Sequence, residues 1–185
     1  MRKIDQRLHL AALENNHKAI AHLIAEGVNI EAKDEDGLTA LYVATHKANT
    51  EAMDALIRAG ANVEAKDENG WTPLHCMTNH GNIKSVWAII QVGANIEAKD
   101  DDGWTAAHFA ASNAHTEALE TLIRAGADLN AKSTRVFENI PAGSTPRDTA
   151  EIRGHTHIVA LIDEALAVQA LATRPQAQRK VRSRL

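Results

Sequence analysis

The sequence predicts a mainly α-helical solenoid of about five stacked helix–turn–helix units. Glycine recurs at a spacing of 33 residues at four positions, Gly27, Gly60, Gly93 and Gly126. Threonine follows the same spacing at Thr39, Thr72 and Thr105. Aromatic residues make up only 3% of the 185 residues, which suits close helix packing better than a β-sandwich. A period of this length indicates repeats whose neighbours bury one another's apolar faces.

The period divides the chain into a repeat domain, 1–172, and a short tail, 173–185. The units fall near residues 1–33, 34–66, 67–99, 100–132 and 133–172. The domain holds 24 acids and 15 bases, a net charge of −9, whereas the tail holds five bases and no acid, a charge of +5. The sequence therefore predicts an acidic repeat body followed by a basic C-terminal tail.

The third unit shows how each element is predicted. Thr72 is suited to cap a helix that begins at Pro73, and the turn "HGN" ends that helix. The segment "IKSVWAIIQV" then has isoleucine and valine at helical spacing, which predicts a second helix. Gly93 stands where a left-handed cap is expected after that helix. Neither helix is long enough to be stable alone, so packing between units must stabilise both.

The run "TPLH" at Thr72–His75, the glycine after the second helix and the connector "GANIEAKD" resemble the ankyrin repeat. The resemblance covers about residues 1–166. It implies that each unit is a β-hairpin finger followed by an antiparallel helix pair. It also implies that fingers and first helices line a concave face, and that His9, His75 and His108 bridge adjacent units by hydrogen bonds.

The outer units depart from this pattern. The first has "QRLH" in place of "TPLH", as expected of a cap at the end of an array. The fifth has Leu166 where the helix-ending glycine would fall, so its second helix is predicted to continue toward Pro175. An inserted segment, "STRVFENIPAG" at 133–143, lengthens the last finger. It could serve a function or fold down over the fourth unit, and the sequence favours neither.

No catalytic, cofactor-binding or metal-binding residue is predicted. The chain has no nucleophile elbow, phosphate loop, HExxH motif or dinucleotide fingerprint. Its single cysteine, Cys76, excludes an intrachain disulfide, is expected to pack in the core, and makes a thiol-based metal site unexpected. Repeated carboxylates such as Asp34, Asp67 and Asp100 are predicted to build turns.

Positions that vary between units are predicted to bind a partner, because the resembled family contacts its partners there. They comprise finger tips, the apolar residue after each tip, the first helices and the inserted finger: Glu35, Asp36, Leu38, Tyr42, His46, Glu68, Asn69, Trp71, Asn79, His80, Asp101, Asp102, Trp104, Ser112, Asn113 and Phe137. Leu38, Trp71 and Trp104 would form an apolar stripe bordered by carboxylates, which favours a protein partner with a basic, partly apolar surface. Alternatively, each Trp packs on its own finger and the acids provide solubility. Trp87, on a second helix, is expected on the opposite, convex side.

These observations favour a non-enzymatic, monomeric protein-binding module that acts as an adaptor, an inhibitor or an immunity-type partner. The first alternative is a host-directed effector or membrane-peripheral protein whose basic tail delivers or anchors it. An enzyme with an unrecognised site in the inserted finger is the least favoured reading. The sequence shows neither a signal peptide nor an apolar run of about 18 residues, so a cytoplasmic location is expected. No small-molecule substrate is expected, and nucleic-acid binding by the tail alone would be weak and salt-sensitive.

Overall fold

A computed structural model describes residues 3–172, and within them ten helices follow one another as five antiparallel pairs. The basic tail, 173–185, lies outside the described residues. The helices are α1 (Lys3–Leu13), α2 (His17–Ala25), α3 (Ala40–His46), α4 (Thr50–Arg58), α5 (Pro73–Asn79), α6 (Ile83–Gln91), α7 (Ala106–Ser112), α8 (Thr116–Arg124), α9 (Pro146–Ile152) and α10 (Thr156–Ala172). The predicted mainly helical solenoid is confirmed.

The first helix of each pair is defined by its N-terminal cap. Thr72 precedes α5, Pro73 opens it, and the backbone N–H of Thr72 donates to Nδ1 of His75 at 3.0 Å. In the last unit Asp148 replaces that histidine, and its carboxylate accepts from the N–H of Thr145 at 2.9 Å. These contacts satisfy N–H groups that a helix start leaves without intrahelical partners, which explains why the helices begin where the sequence predicts.

Gly93 follows the end of α6 with φ of +90°, as the predicted left-handed cap requires. The last helix, α10, runs from Thr156 to Ala172, and Leu166 lies within it. The predicted continuation of this helix is therefore confirmed as far as Ala172. No helix in the described part of the chain is both long enough and apolar enough to span a bilayer.

Small residues let the units stack closely. The first helices α1, α3, α5, α7 and α9 pack against one another in order, and α2 packs on α4 and α6 on α8. Ala44 and Ala110 on first helices are fully buried, as are Leu56, Ile89 and Leu122 on second helices. Because an alanine on a first helix occupies little volume, neighbouring first helices approach closely while longer side chains fill the second layer.

Side chains also tie the connectors of adjacent units together. Glu31 accepts a hydrogen bond from the backbone N–H of Asn62 at 2.7 Å, and Glu64 accepts one from Asn95 at 2.8 Å. Lys66 Nζ donates to the carbonyl of Lys99 at 2.8 Å. These contacts join residues 31 or 33 positions apart, which explains why the same residue types return with the period.

The fingers are turns rather than hairpins with paired strands. Between residues 3 and 172 only two isolated β-bridges occur, Lys33–Thr39 and Phe137–Ile140, so the implied β-hairpins are not formed as ladders. Instead, Asp67 Oδ1 accepts from the N–H groups of Asn69 and Trp71, and Asp34 and Asp100 make the same contacts in their own fingers. The prediction that these carboxylates build turns is confirmed.

Candidate functional site: a groove along the first three units

Two adjoining cavities lie on the face formed by the fingers and the first helices. The first, of about 380 Å³, lies between units one and two and is lined by Leu10, Leu13, Lys47 and their neighbours. The second, of about 430 Å³, lies between units two and three and is lined by Trp71, Asn79, His80 and others. Leu38 and His46 line both cavities, so the two form one continuous surface, which we call the groove.

The groove combines apolar surface with acidic groups. Leu10 is 52% exposed and Leu13 is 46% exposed, while Leu38 and Trp71 are half-buried. Asp34 and Asp36 line the first cavity, and Asp67 lines the second. An apolar floor beside carboxylates suits a ligand that carries both apolar and cationic groups.

A hydrogen bond between side chains joins units two and three at the wall of the second cavity. The hydroxyl of Tyr42 on α3 donates to Oδ2 of Asp67 at 2.6 Å. Burial, followed by this bond to Asp67, raises the pKa of Tyr42 well above its usual range, so the phenol stays neutral. Tyr42 is buried, and this contradicts the prediction that it is a surface contact, because its hydroxyl is already engaged by the next finger.

Three side chains with metal-ligand chemistry meet at the floor of the groove. Sγ of Cys76 lies 3.8 Å from Nδ1 of His46 and 3.7 Å from Nδ1 of His80. One ligand atom from each of the three lies within 4.8 Å of the others, and this is the one such group found among residues 3–172. The cysteine is buried, as predicted, whereas both imidazoles are exposed. Burial, opposed by a hydrogen bond with Thr45, raises the pKa of the thiol to about 11.

The contact among these three residues was not predicted from the sequence. Cys76 and His80 are four residues apart, which places both on one side of α5 and its C-terminal cap, and that spacing was an available signal. His46 belongs to the preceding unit and ends α3. Its distance in sequence from Cys76 is not a whole repeat, so the 33-residue period does not reveal the contact.

At the equivalent position of the fourth unit, aromatic side chains pack together. Trp104 is only 1% exposed, and its ring lies 4.6 Å from Phe137 and 5.1 Å from Phe109, measured between ring centroids. Ile140 of the inserted finger is fully buried in the same cluster, which Trp71 borders. The prediction that Trp104 belongs to an accessible apolar stripe is therefore wrong, because the inserted finger covers its side chain.

Contacts with the fourth unit hold the inserted finger in this position. The N–H groups of Thr134 and Arg135 donate to the carbonyl of Asp102 at 2.8 Å and 3.2 Å, and within the fifth unit Arg153 forms an ion pair with Glu138. Of the two readings left open by the sequence, the structure shows the finger folded down over the fourth unit. Phe137 is half-buried in this contact.

The other predicted binding residues differ in exposure. Ser112 is buried, contrary to the prediction of a surface contact, because it lies at the end of α7 where His155 of the next unit reaches its carbonyl at 2.9 Å. Asn79 and Asp102 are half-buried. Those that are exposed are Glu35, Asp36, His46, Glu68, Asn69, His80, Asp101 and Asn113. The binding roles of these residues stay predictions. Trp87, on α6, is 58% exposed, as expected.

Two of the three repeated histidines, His9 and His108, bridge adjacent units as the resemblance implies, whereas His75 bonds to the connector at the end of its own unit. Nε2 of His9 lies 2.9 Å from the carbonyl of Leu38, that of His75 lies 2.9 Å from Ala98, and that of His108 lies 3.0 Å from Ser144. Burial lowers the pKa of His75 and of His108 to about 4, so both rings are neutral and donate from Nε2.

A second set of bridging histidines was not predicted. Nε2 of His115 donates to the carbonyl of Asn79 at 3.0 Å, as His155 does to Ser112. Both histidines lie near the turn between the helices of their unit, and each reaches the preceding unit. Histidines therefore connect both ends of α7 to the fifth unit, and the C-terminal end of α5 to the fourth unit.

Comparison with protein families gives one match. The family model for ankyrin repeats, in three overlapping copies, matches residues 8–100, 60–133 and 76–170. A comparison with curated proteins finds no match.

Proposed function

The chain belongs to the ankyrin-repeat family, whose members are generally non-enzymatic protein–protein interaction modules, and we propose that it binds another protein in the groove. The observation that carries this proposal is the contrast between units. Leu38 and Trp71 are half-buried beside open cavities, whereas Trp104 is covered. In the groove, apolar side chains thus lie beside open cavities and remain available to a partner.

The side chains of the groove indicate which surface chemistry the partner should have. The finger tips beside it carry the exposed residues Glu35, Asp36 and Glu68, which favour a basic surface. The apolar floor at Leu38 and Trp71 favours an aliphatic or aromatic side chain within that basic surface. A contact that buries about 800 Å² on each side would be of ordinary size for a stable complex.

The proposed role is occupancy of the partner's surface, as an adaptor, an inhibitor or an immunity-type partner, without catalysis by this chain. The free thiol of Cys76 suits a reducing compartment, so we place this binding in the cytoplasm. The alternative, delivery or anchoring by the basic tail 173–185, is favoured by its charge of +5.

Affinity capture with the whole chain as bait separates the two proposals. Partners are identified by mass spectrometry and compared among the parent, Leu38→Arg, Trp71→Ala, Trp87→Ala and a chain lacking 173–185. Trp87→Ala is the matched control because its side chain is exposed on α6, away from the groove. Circular dichroism first establishes that each variant is folded.

A groove-bound partner should be lost with Leu38→Arg, which places a cation against a basic surface, and weakened about 30-fold or more with Trp71→Ala. It should be retained with Trp87→Ala and without the tail. Partners that persist with both groove variants would exclude the groove as the binding site. Partners lost only with the tail would support the alternative.

A further inference from the structure

We propose that His46, Cys76 and His80 form a binding site for a zinc ion at the floor of the groove. The site would use one thiolate and two imidazoles from two adjacent units, with its fourth coordination position open to the cavity. The proposal rests on the geometry of these three residues and is independent of any protein partner.

Two of the three distances between the ligand atoms are close to those of tetrahedral coordination. Zinc lies about 2.3 Å from a thiolate sulfur and about 2.0–2.1 Å from an imidazole nitrogen, so a tetrahedral site has sulfur–nitrogen edges of about 3.6 Å. Sγ of Cys76 is 3.8 Å from Nδ1 of His46 and 3.7 Å from Nδ1 of His80. The edge to His46 is thus close to its required length as it stands, and the edge to His80 starts from a similar length before that side chain rotates.

The side chains of the two histidines can move to complete the site. Both are exposed, and their rings meet edge to face with centroids 5.1 Å apart. Nδ1 of His80 also lies 2.7 Å from the carbonyl of Cys76, so coordination through Nδ1 requires a rotation of this side chain.

The donor set indicates the class of metal. A thiolate with two imidazoles suits a borderline-soft divalent ion and disfavours Mg²⁺ or Ca²⁺, which prefer oxygen ligands. On binding, the S–H bond of Cys76 breaks, a zinc–sulfur bond forms, and the proton passes to solvent. The three residues line the cavity of about 430 Å³, so a water or a ligand side chain can occupy the fourth position.

Metal titration of the full chain, prepared without a histidine tag, tests the proposal. Zn²⁺ is titrated against a competing chromophoric chelator, and Co²⁺ serves as a spectroscopic probe of the ligands. We expect one Zn²⁺ per chain, and for Co²⁺ both a sulfur-to-metal charge-transfer band and the intense visible bands of tetrahedral coordination. Cys76→Ser should abolish the charge-transfer band and weaken Zn²⁺ binding about 100-fold or more, because even outer-shell changes cost about 10–100-fold.

A double variant, His46→Ala with His80→Ala, tests the imidazoles without disturbing a buried side chain. It should also lose tight Zn²⁺ binding, whereas His22→Ala should bind like the parent, since the side chain of His22 is 70% exposed on α2, outside this group. Failure of the parent to bind one equivalent of Zn²⁺, or absence of the charge-transfer band, would overturn the proposal. Equal Zn²⁺ affinity in the parent and in either ligand variant would do the same.

Discussion

The second and fourth units place different surfaces at the same position of the repeat. Leu38 of the second unit lines both open cavities, whereas Trp104 of the fourth is 1% exposed beneath Phe137. The two residues have equivalent backbone contacts, because the N–H of each donates to the aspartate that begins its finger, at 2.8 Å and 2.7 Å. The repeat therefore fixes where the side chain lies, and the following unit determines whether it stays accessible.

The comparison shows that one part of the array offers a possible binding surface, whereas another part is packed for stability. In units one to three the finger face leaves a groove, and in units four and five the inserted finger converts the equivalent surface into a second, aromatic core of Trp104, Phe109 and Ile140. An insertion in a repeat can thus stabilise the end of the array instead of extending the binding surface.

The largest expected effect is on folding stability at the two equivalent positions. Trp104→Ala removes a fully enclosed aromatic ring and should lower the free energy of unfolding by about 3–5 kcal/mol. Leu38→Ala removes a half-exposed side chain and should cost about 1 kcal/mol or less. Urea denaturation of both variants measures the difference, and equal losses would contradict the assignment of Trp104 to a core.

Acidification should destabilise the third and the fourth unit alike, because the buried rings of His75 and His108 each bond to a backbone carbonyl of a connector. Their folded-state pKa of about 4 lies below the usual value of 6.5, so the unfolded chain binds protons that the folded chain does not. Stability is therefore complete above pH 6.5 and falls as the pH drops toward 4, by up to about 3 kcal/mol for each histidine.

Urea denaturation between pH 7.5 and 5 follows this loss while most carboxylates stay ionised. Replacing either histidine with Gln should make the pH dependence shallower. A parent whose stability is constant over that range would show that these rings are not kept neutral by folding.

Two glycines test the comparison, because a side chain added at each would meet different neighbours. Gly93 and Gly103 both have positive φ, +90° and +78°, so alanine at either should cost about 1–2 kcal/mol of backbone strain. A Cβ at Gly93 meets nothing within 4 Å, whereas at Gly103 it would lie 2.7 Å from the backbone nitrogen of Thr134 in the inserted finger. Gly103→Ala should therefore cost at least about 1 kcal/mol more, and thermal denaturation that ranks Gly93→Ala as the worse variant would contradict this packing.

The smallest expected effect concerns the charges at the finger tips. Reversing Glu35 and Asp36 to Lys should slow association with a basic partner by about tenfold and alter its salt dependence. The same reversal at Asp101 and Asp102 should have less effect, because it lies beside the filled surface. Stopped-flow association at two salt concentrations compares the pairs, and a larger effect at Asp101 and Asp102 would place the contact on the fourth unit.

The features that recur with the repeat period could be predicted from the sequence. The cap at Thr72, the helix start at Pro73 and the left-handed Gly93 depend on neighbours within a few residues, and all three are confirmed. The period itself could not reveal the burial of Trp104, because that depends on how a unique insertion folds back onto an earlier unit. The meeting of His46 with Cys76 likewise depends on side chains that do not repeat.

The measurement that tests the groove most directly is hydrogen–deuterium exchange of the chain with and without its captured partner. If the groove is the binding site, the partner should slow exchange in segments 38–46 and 69–80 and leave the inserted finger, 133–143, unchanged. Protection confined to 133–143 or to the tail 173–185, with the first three units unaffected, would contradict the proposed function.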